Sequence, residues 1–164
     1  MSILEDTWIL WFHDLQSTDW TINGYEKIGE IKSIEDFWTL YNNLDFTIGM
    51  YFLMRSKYIP IWDDPSNING SSFTNRYVIN DSQYHFTMIS ALLIGENMNP
   101  VVTGISVSPK TKNAIVRIWS SKKITNNEII KNENNKDNKD NINNCNSDTY
   151  NIDINNWKID NKNA

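Results

Sequence analysis

The 164-residue sequence predicts an α+β fold, an antiparallel sheet with helices on one face. Three observations predict it. Short apolar runs rich in aromatic and β-branched residues recur between turn signals, as half-buried strands do. Two other segments carry apolar residues at helical spacing. Strands and helices mix without a βαβ rhythm, which disfavours a parallel sheet.

Taken in order, "TWILWF" (7–12) is a short, strongly apolar strand and "YEKIGEIKS" (25–33) a connector. "SIEDFWTLYNNL" (33–44) is a helix, with Ser33 as its cap and Asp36 as the return partner of a capping box. Phe37, Leu40, Tyr41 and Leu44 form its core stripe. Ile34 and Trp38 lie beside that stripe, and spacing alone reads them either as core or as an apolar patch for a partner. "MYFLMRSKYIPIW" (50–62) is one or two strands, and "NRYVIN" (75–80) is another. "DSQYHFTMISALLIG" (81–95) is a second helix, with Asp81 as N-cap and Gly95 as the C′ stop. "VVTGISVS" (101–108) and "AIVRIWSS" (114–121) form a hairpin around "PKTKN".

Composition changes near Ile124. Residues 124–164 hold 15 asparagines and few apolar anchors, so the globular domain is expected over 1–123 and an asparagine-rich low-complexity tail over 124–164. A last edge strand is expected within it near 149–157, where "TYNIDINNW" alternates.

No stretch approaches the roughly 18 apolar residues of a membrane helix. The amino-terminal "MSILEDTWILWF" carries acids where a secretory leader carries positive charge. Cys145 is the only cysteine, so no internal disulfide forms, and a reducing cytoplasmic location fits, a nuclear pool remaining open. The formal net charge of −5 argues against general phosphate attraction while leaving room for a local basic site. There is no Walker loop, GxSxG, HExxH or cysteine pair, and His13 and His85 have no motif around them. Neither a catalytic residue nor a metal or cofactor is expected.

The remaining chemistry is aromatic. Trp20 lies among turn residues in "STDWTINGY", and Trp62 ends an apolar run in "IPIWDDPSN". Two loop tryptophans facing each other make a slot in which a flat base gains about 1–3 kcal/mol per stacking face. A positively charged base adds roughly 0.5–2 kcal/mol of cation–π attraction. Asp63 then offers a carboxylate to two parallel N–H donors on a guanine edge. Taken alone, the same stretch is equally a strand ending in a turn. Lys110 and Lys112 on one tight turn, with Arg76, suit a phosphate chain, although any one of them alone is an ordinary surface charge.

These residues resemble a known family, eukaryotic translation initiation factor 4E. "TWILWFHD", "STDW", "SIEDFWTLYNNL", "IPIWDDPSN", "NRYVI", "ALLIGE" and "TGISVSPKTKNAIVRIWSS" follow the family order across about three-quarters of the chain. The resemblance implies a curved antiparallel sheet with helices on its convex face and a concave slot for the 7-methylguanosine cap of mRNA. It implies stacking by Trp20 and Trp62, guanine-edge pairing by Asp63 in place of the usual glutamate, and methyl contact by Trp119. It assigns the cap phosphates to Arg76, Lys110 and Lys112, Lys110 replacing a common arginine. It also implies a dorsal surface of Leu4, Ile34, Trp38, Met88 and Ala91 for a scaffold or repressor protein with a Tyr-x-x-x-x-Leu-apolar helix. Met88 stands where the family usually has a glutamate, and Ala91 where leucine is common. The implied function is therefore that of a monomeric, non-enzymatic cap-binding protein that recruits a translation scaffold. The alternatives are a cap-binding repressor or competitor with weakened scaffold binding, and an interaction protein that has lost the cap.

Overall fold

The computed structural model describes residues 2–131 and 154–161. Expectations placed on 132–153, including Cys145 and the first part of the tail strand, lie outside the described residues. Seven strands, β1 (Ile3–Asp14), β2 (Glu26–Ser33), β3 (Gly49–Arg55), β4 (Ser71–Val78), β5 (Val102–Pro109), β6 (Asn113–Ser120) and β7 (Lys158–Asn161), form one curved antiparallel sheet. Their order is β2-β1-β3-β5-β6-β4-β7. Helices α1 (Ile34–Tyr41) and α2 (Ile79–Ile94) pack on the convex face.

Strand alternation divides the sheet into two surfaces. Trp8 and Leu10 of β1, Tyr51 and Leu53 of β3, and Val116 and Ile118 of β6 face the helices and meet Phe37, Tyr41, Phe86, Ile89 and Leu93. The intervening Ile9, Trp11, Phe52, Met54 and Trp119 form a second, smaller cluster on the concave face. Tyr41 crosses the main core and donates its hydroxyl to Ser90 Oγ at 2.8 Å.

The capping box forms as expected. Ser33 Oγ accepts from the Asp36 N–H at 3.1 Å, and Asp36 Oδ2 accepts from the Ser33 N–H at 3.1 Å. Four elements differ from the sequence reading. The connector at 25–33 is the edge strand β2; its outward Glu26, Lys27, Glu30 and Lys32 conceal the strand signal while guarding the edge. β3 stops at Arg55, because 56–70 turn back on themselves. β4 starts earlier, at Ser71, where small buried serines carry no apolar signature. Helix α2 starts at Ile79 after Val78, without a side-chain cap, and Asp81 instead places its charge in the first turn.

Gly95 is the C-cap of α2 with φ −80°, and the left-handed position falls to Glu96 at φ 59°. The Glu96 N–H bonds the Leu93 carbonyl at 3.1 Å and the Asn97 N–H that of Leu92 at 3.0 Å, a Schellman closure normally completed by glycine. Glutamate is retained there with a clear structural use. Its carboxylate accepts both Arg55 Nη1 and Nη2 at 2.8 Å. Arg55 also donates to Asp6 Oδ2 and to the Val102 carbonyl, each at 3.0 Å, and its guanidinium lies 4.4 Å from the Trp8 ring.

Packing continues past the expected domain boundary at 123. Ile129, Ile154 and Trp157 are buried in the main core. Asn126 Nδ2 donates to the carbonyls of Ile154 and Trp157, both at 2.9 Å, and fixes that return. The described part of the expected 149–157 strand, 154–157, is instead a 3-10 turn followed by the buried Trp157, and the edge strand is β7 at Lys158–Asn161.

Replacing Arg55 with methionine leaves Glu96 and Asp6 without their cation. The expected loss is about 3–5 kcal/mol of unfolding free energy, read by urea denaturation. A loss below about 1 kcal/mol would show that the buried network carries little.

Candidate functional site

The concave face holds a cavity of about 380 Å³, within the range of small-molecule sites. Its walls come from four places in the chain: Trp20 after β1, Trp62 and Asp63 after β3, Lys110 at the β5–β6 turn, and Arg117 with Trp119 on β6. Phe52 and Ser106 lie below them, on adjacent strands.

Trp20 is 54% exposed, yet its ring is well placed. It stacks on the His13 imidazole with centroids 4.0 Å apart and planes 4° from parallel. His13 is itself fully buried, its Nδ1 2.9 Å from the Asp14 carbonyl oxygen and its Nε2 2.8 Å from that of Asp19. Asp19 Oδ1 accepts from the Thr21 N–H and hydroxyl, which holds the carboxyl below its ordinary range. Gly24 closes this loop because a Cβ there would lie 1.8 Å from the Asp19 carbonyl oxygen. Tyr25 packs edge-on against both His13 and Phe52, and burial pushes its phenol up to about 12.

Trp62 meets Trp119 edge to face, with centroids 5.3 Å apart at 78°. Trp119 is only 4% exposed, and its indole N–H donates to Ser106 Oγ at 3.0 Å. The loop carrying Trp62 is fastened by Asn67, whose buried Nδ2 donates to the carbonyls of Ile59 at 2.9 Å and Ile61 at 2.8 Å. The two aspartates after Trp62 divide their tasks. Asp63 lines the cavity. Asp64 builds the turn, accepting from Ser66 through its side chain and from the Asn67 and Ile68 N–H groups through its carbonyl.

Five sequence-selected residues thus come together: Trp20, Trp62, Asp63, Lys110 and Trp119. Arg76 and Lys112 do not line the cavity. Arg76 is on β4, one strand beyond β6 and opposite Ile115. Lys112 is exposed, and its carbonyl accepts the Ile79 N–H at 3.0 Å, which ties that end of the turn to the start of α2. Arg117 was not selected from sequence, although the signal was present: in "RIW" it stands two residues before Trp119 and so shares its face. Burial pushes its guanidinium down from the ordinary arginine value, with Asp160 acting the other way. Among the described residues, no group of three or more His, Cys, Asp or Glu is placed to hold a metal ion.

On the convex side, Ile34 and Trp38 are 45% and 44% exposed, with Trp38 edge-on to Phe37 at 5.0 Å. Leu4 and Ala91 are partly buried against the main core, and Met88 is half-buried on α2.

The family model for eukaryotic initiation factor 4E matches residues 3–159. The chain belongs to that family. Its relatives include 4E-1 of Triticum aestivum, 28% identical over 127 residues, which are 71% of this chain and 59% of that one. The Homo sapiens initiation factor 4E is 27% identical over 132 residues, 73% of this chain and 60% of its own length. The chain thus spans about three-fifths of the length of these relatives. Two solved structures share the fold. Ascaris suum eIF4E-3, in complex with m7G cap, gives a TM-score of 0.67 at 19% identity and covers 77% of each chain. C. elegans eIF4E-3, in complex with the 4E-binding protein Mextli and a cap analog, gives 0.66 at 19%, covering 74% of this chain and 75% of that one. Within this initiation factor 4E fold, His13, Tyr25, Asn67 and Arg117 are the cavity's supporting and charged residues that sequence reasoning passed over.

Asn67→Ala removes both bonds that fasten the Trp62 loop. The expected cost is about 1–3 kcal/mol of stability, with faster amide exchange around 59–68. Unchanged exchange there would show that the loop is held by other contacts.

Proposed function

We propose that this chain binds the 7-methylguanosine 5′ cap of mRNA and recruits a scaffold protein for translation initiation. The observation that carries this reading is the convergence of three indoles, a carboxylate and two cations on one cavity. Trp20 and Trp62 stack on the two faces of the base, each contributing about 1–3 kcal/mol. Methylation at N7 makes the ring cationic, which strengthens stacking on indole. The same charge sharpens the N1–H donor, and Asp63 accepts it with the exocyclic N–H in a charge-assisted pair. Trp119 lies beneath Trp62, where the methyl group is received. Lys110 and Arg117 neutralise the triphosphate, so affinity falls with salt despite the chain's net charge of −5.

The chain acts as a cytoplasmic, monomeric binding module and not as an enzyme. Ile34 and Trp38 of α1, flanked by Leu4, Met88 and Ala91, receive the apolar side of a partner helix carrying Tyr-x-x-x-x-Leu-apolar. A second reading, a cap-holding repressor or competitor, draws on Met88 and Ala91, which offer the partner neither a carboxylate nor a long aliphatic side chain.

Titration of intrinsic tryptophan fluorescence with 7-methyl-GTP against GTP tests the cap reading. Strong quenching by the methylated nucleotide alone is expected. Trp62→Ala should weaken binding at least tenfold, while Trp38→Ala leaves it intact and abolishes capture of a scaffold-type peptide. Equal loss in both folded variants would reject the division between the two faces.

A further inference from the structure

His13 is fully buried behind Trp20 and does not itself line the cavity. Both of its ring nitrogens meet carbonyl oxygens: Nδ1 lies 2.9 Å from that of Asp14 and Nε2 2.8 Å from that of Asp19. A carbonyl oxygen can only accept. A neutral imidazole has one N–H and one bare lone pair, so it satisfies one of these contacts and sets its lone pair against an oxygen in the other. The imidazolium donates to both. Burying such a charge is costly unless its hydrogen bonds are made, and here both N–H groups have acceptors. The Trp20 indole covers one face of the ring at 4.0 Å, 4° from parallel, as a ring that stabilises a cation does.

The two carbonyls bracket the segment that carries Trp20. Asp14 ends β1, and its carbonyl also accepts the Ser17 N–H at 3.2 Å, while Asp19 immediately precedes Trp20. One ring therefore clamps the loop at two points and supports the indole beyond them. Loss of one ring proton frees one of those points. The charged and titratable neighbours are few. Thr21, with a smaller electrostatic contribution from His13, holds the Asp19 carboxyl below its ordinary range, so it stays charged at neutral pH. Burial pushes the Tyr25 phenol up to about 12, so it stays neutral there. The Asp14 carboxylate accepts the Gln16 N–H at 2.8 Å. On β3 the residue opposite His13 is the uncharged Met50, and on β2 the Lys27 ammonium lies over Trp11, two residues back along the same face. Of these side-chain types, imidazole is the one that ordinarily changes charge near neutrality.

We propose that His13 is a positioning residue that works as an imidazolium: by donating to the Asp14 and Asp19 carbonyls together it holds Trp20 ready to stack, and cap affinity falls as pH rises and one ring proton leaves. The inference rests on the cap reading above and adds a pH dependence to it. The sign follows from the form required. The contribution is complete at low pH and is lost as His13 becomes neutral. The methylated base brings a second positive ring to the far face of the indole. Its triphosphate leaves the ligand anionic overall, so the field of His13 favours binding.

The first test needs no ligand. The chain has two histidines, and His85, stacked on Tyr77, lies outside the cavity lining. In His85→Gln, proton–nitrogen correlation spectra at about pH 7 report His13 alone. A bonded proton on each ring nitrogen is expected, and one protonated with one bare nitrogen would overturn the proposal. The second test titrates 7-methyl-GTP by fluorescence from about pH 6 to about pH 9 into the wild type and His13→Phe. The phenylalanine keeps a flat ring behind Trp20 and has no donor. The nucleotide's own titrations are common to both proteins, so the ratio of the two affinities isolates His13. The wild type should bind about tenfold more tightly at the acid end, the worth of one charge-assisted bond, and converge on the variant at the alkaline end. A ratio that does not change with pH would overturn the proposal. His85→Gln should follow the wild-type profile, and its departure from that profile would move the pH dependence away from His13 and overturn the proposal too. Failure of the wild type to bind 7-methyl-GTP at any pH would instead overturn the cap reading, and the clamp is then judged on the spectra of the free protein.

Discussion

The Arg55 network is the constraint on which the rest of the architecture depends. One side chain joins β1 through Asp6, β5 through the Val102 carbonyl, and the end of α2 through Glu96, with Trp8 beneath it. It ties the residue just past the end of the second helix to the first residue of β5. Glu96 adopts a backbone conformation that normally selects glycine, and the two charge-assisted bonds it gains are the physical reason a side chain is kept there. Stability and shape meet at one residue pair outside the cavity lining, on the strand whose Phe52 forms part of the cavity floor.

The sheet's period of two then assigns the work. Every second residue of β1, β3 and β6 enters the helix-facing core, and the residues between them build the concave face. Because the same strands serve both faces, the cavity floor is rigid without a scaffold of its own. Only its upper walls are loops, and each is held by a local device. His13 backs Trp20, and Asn67 fastens the segment carrying Trp62. The groups that meet a ligand are therefore prepositioned by groups that do not.

Much of this was legible in the sequence. The capping box at Ser33 and Asp36, the β5–β6 hairpin and the loop tryptophans have local signatures, and local signatures survive folding. Edge strand β2 was hidden because its charges alternate where apolar residues would signal a strand. The start of β4 was hidden because buried serines resemble loop residues. Arg117 was passed over beside Arg76 for a different reason. Both are basic and near each other in the fold, and only the strand order β5-β6-β4 shows that Arg117 overlooks the cavity while Arg76 stands one strand further out. Likewise, Trp157 looked like part of a polar tract because nothing nearby in sequence reveals that Asn126 holds its backbone.

The pairing of β7 with β4 bears on how the molecule is completed during synthesis. Ser71–Thr74 meet Lys158–Asn161, partners separated by more than eighty positions in the chain. Every residue that lines the cavity lies at or before Trp119. As the chain emerges from the ribosome, that pocket is fully encoded while the outer edge of β4 is still unpaired. Through that interval the nascent molecule displays an open strand edge, the feature most prone to pairing with a neighbour. β7 then pairs with that edge and removes the hazard.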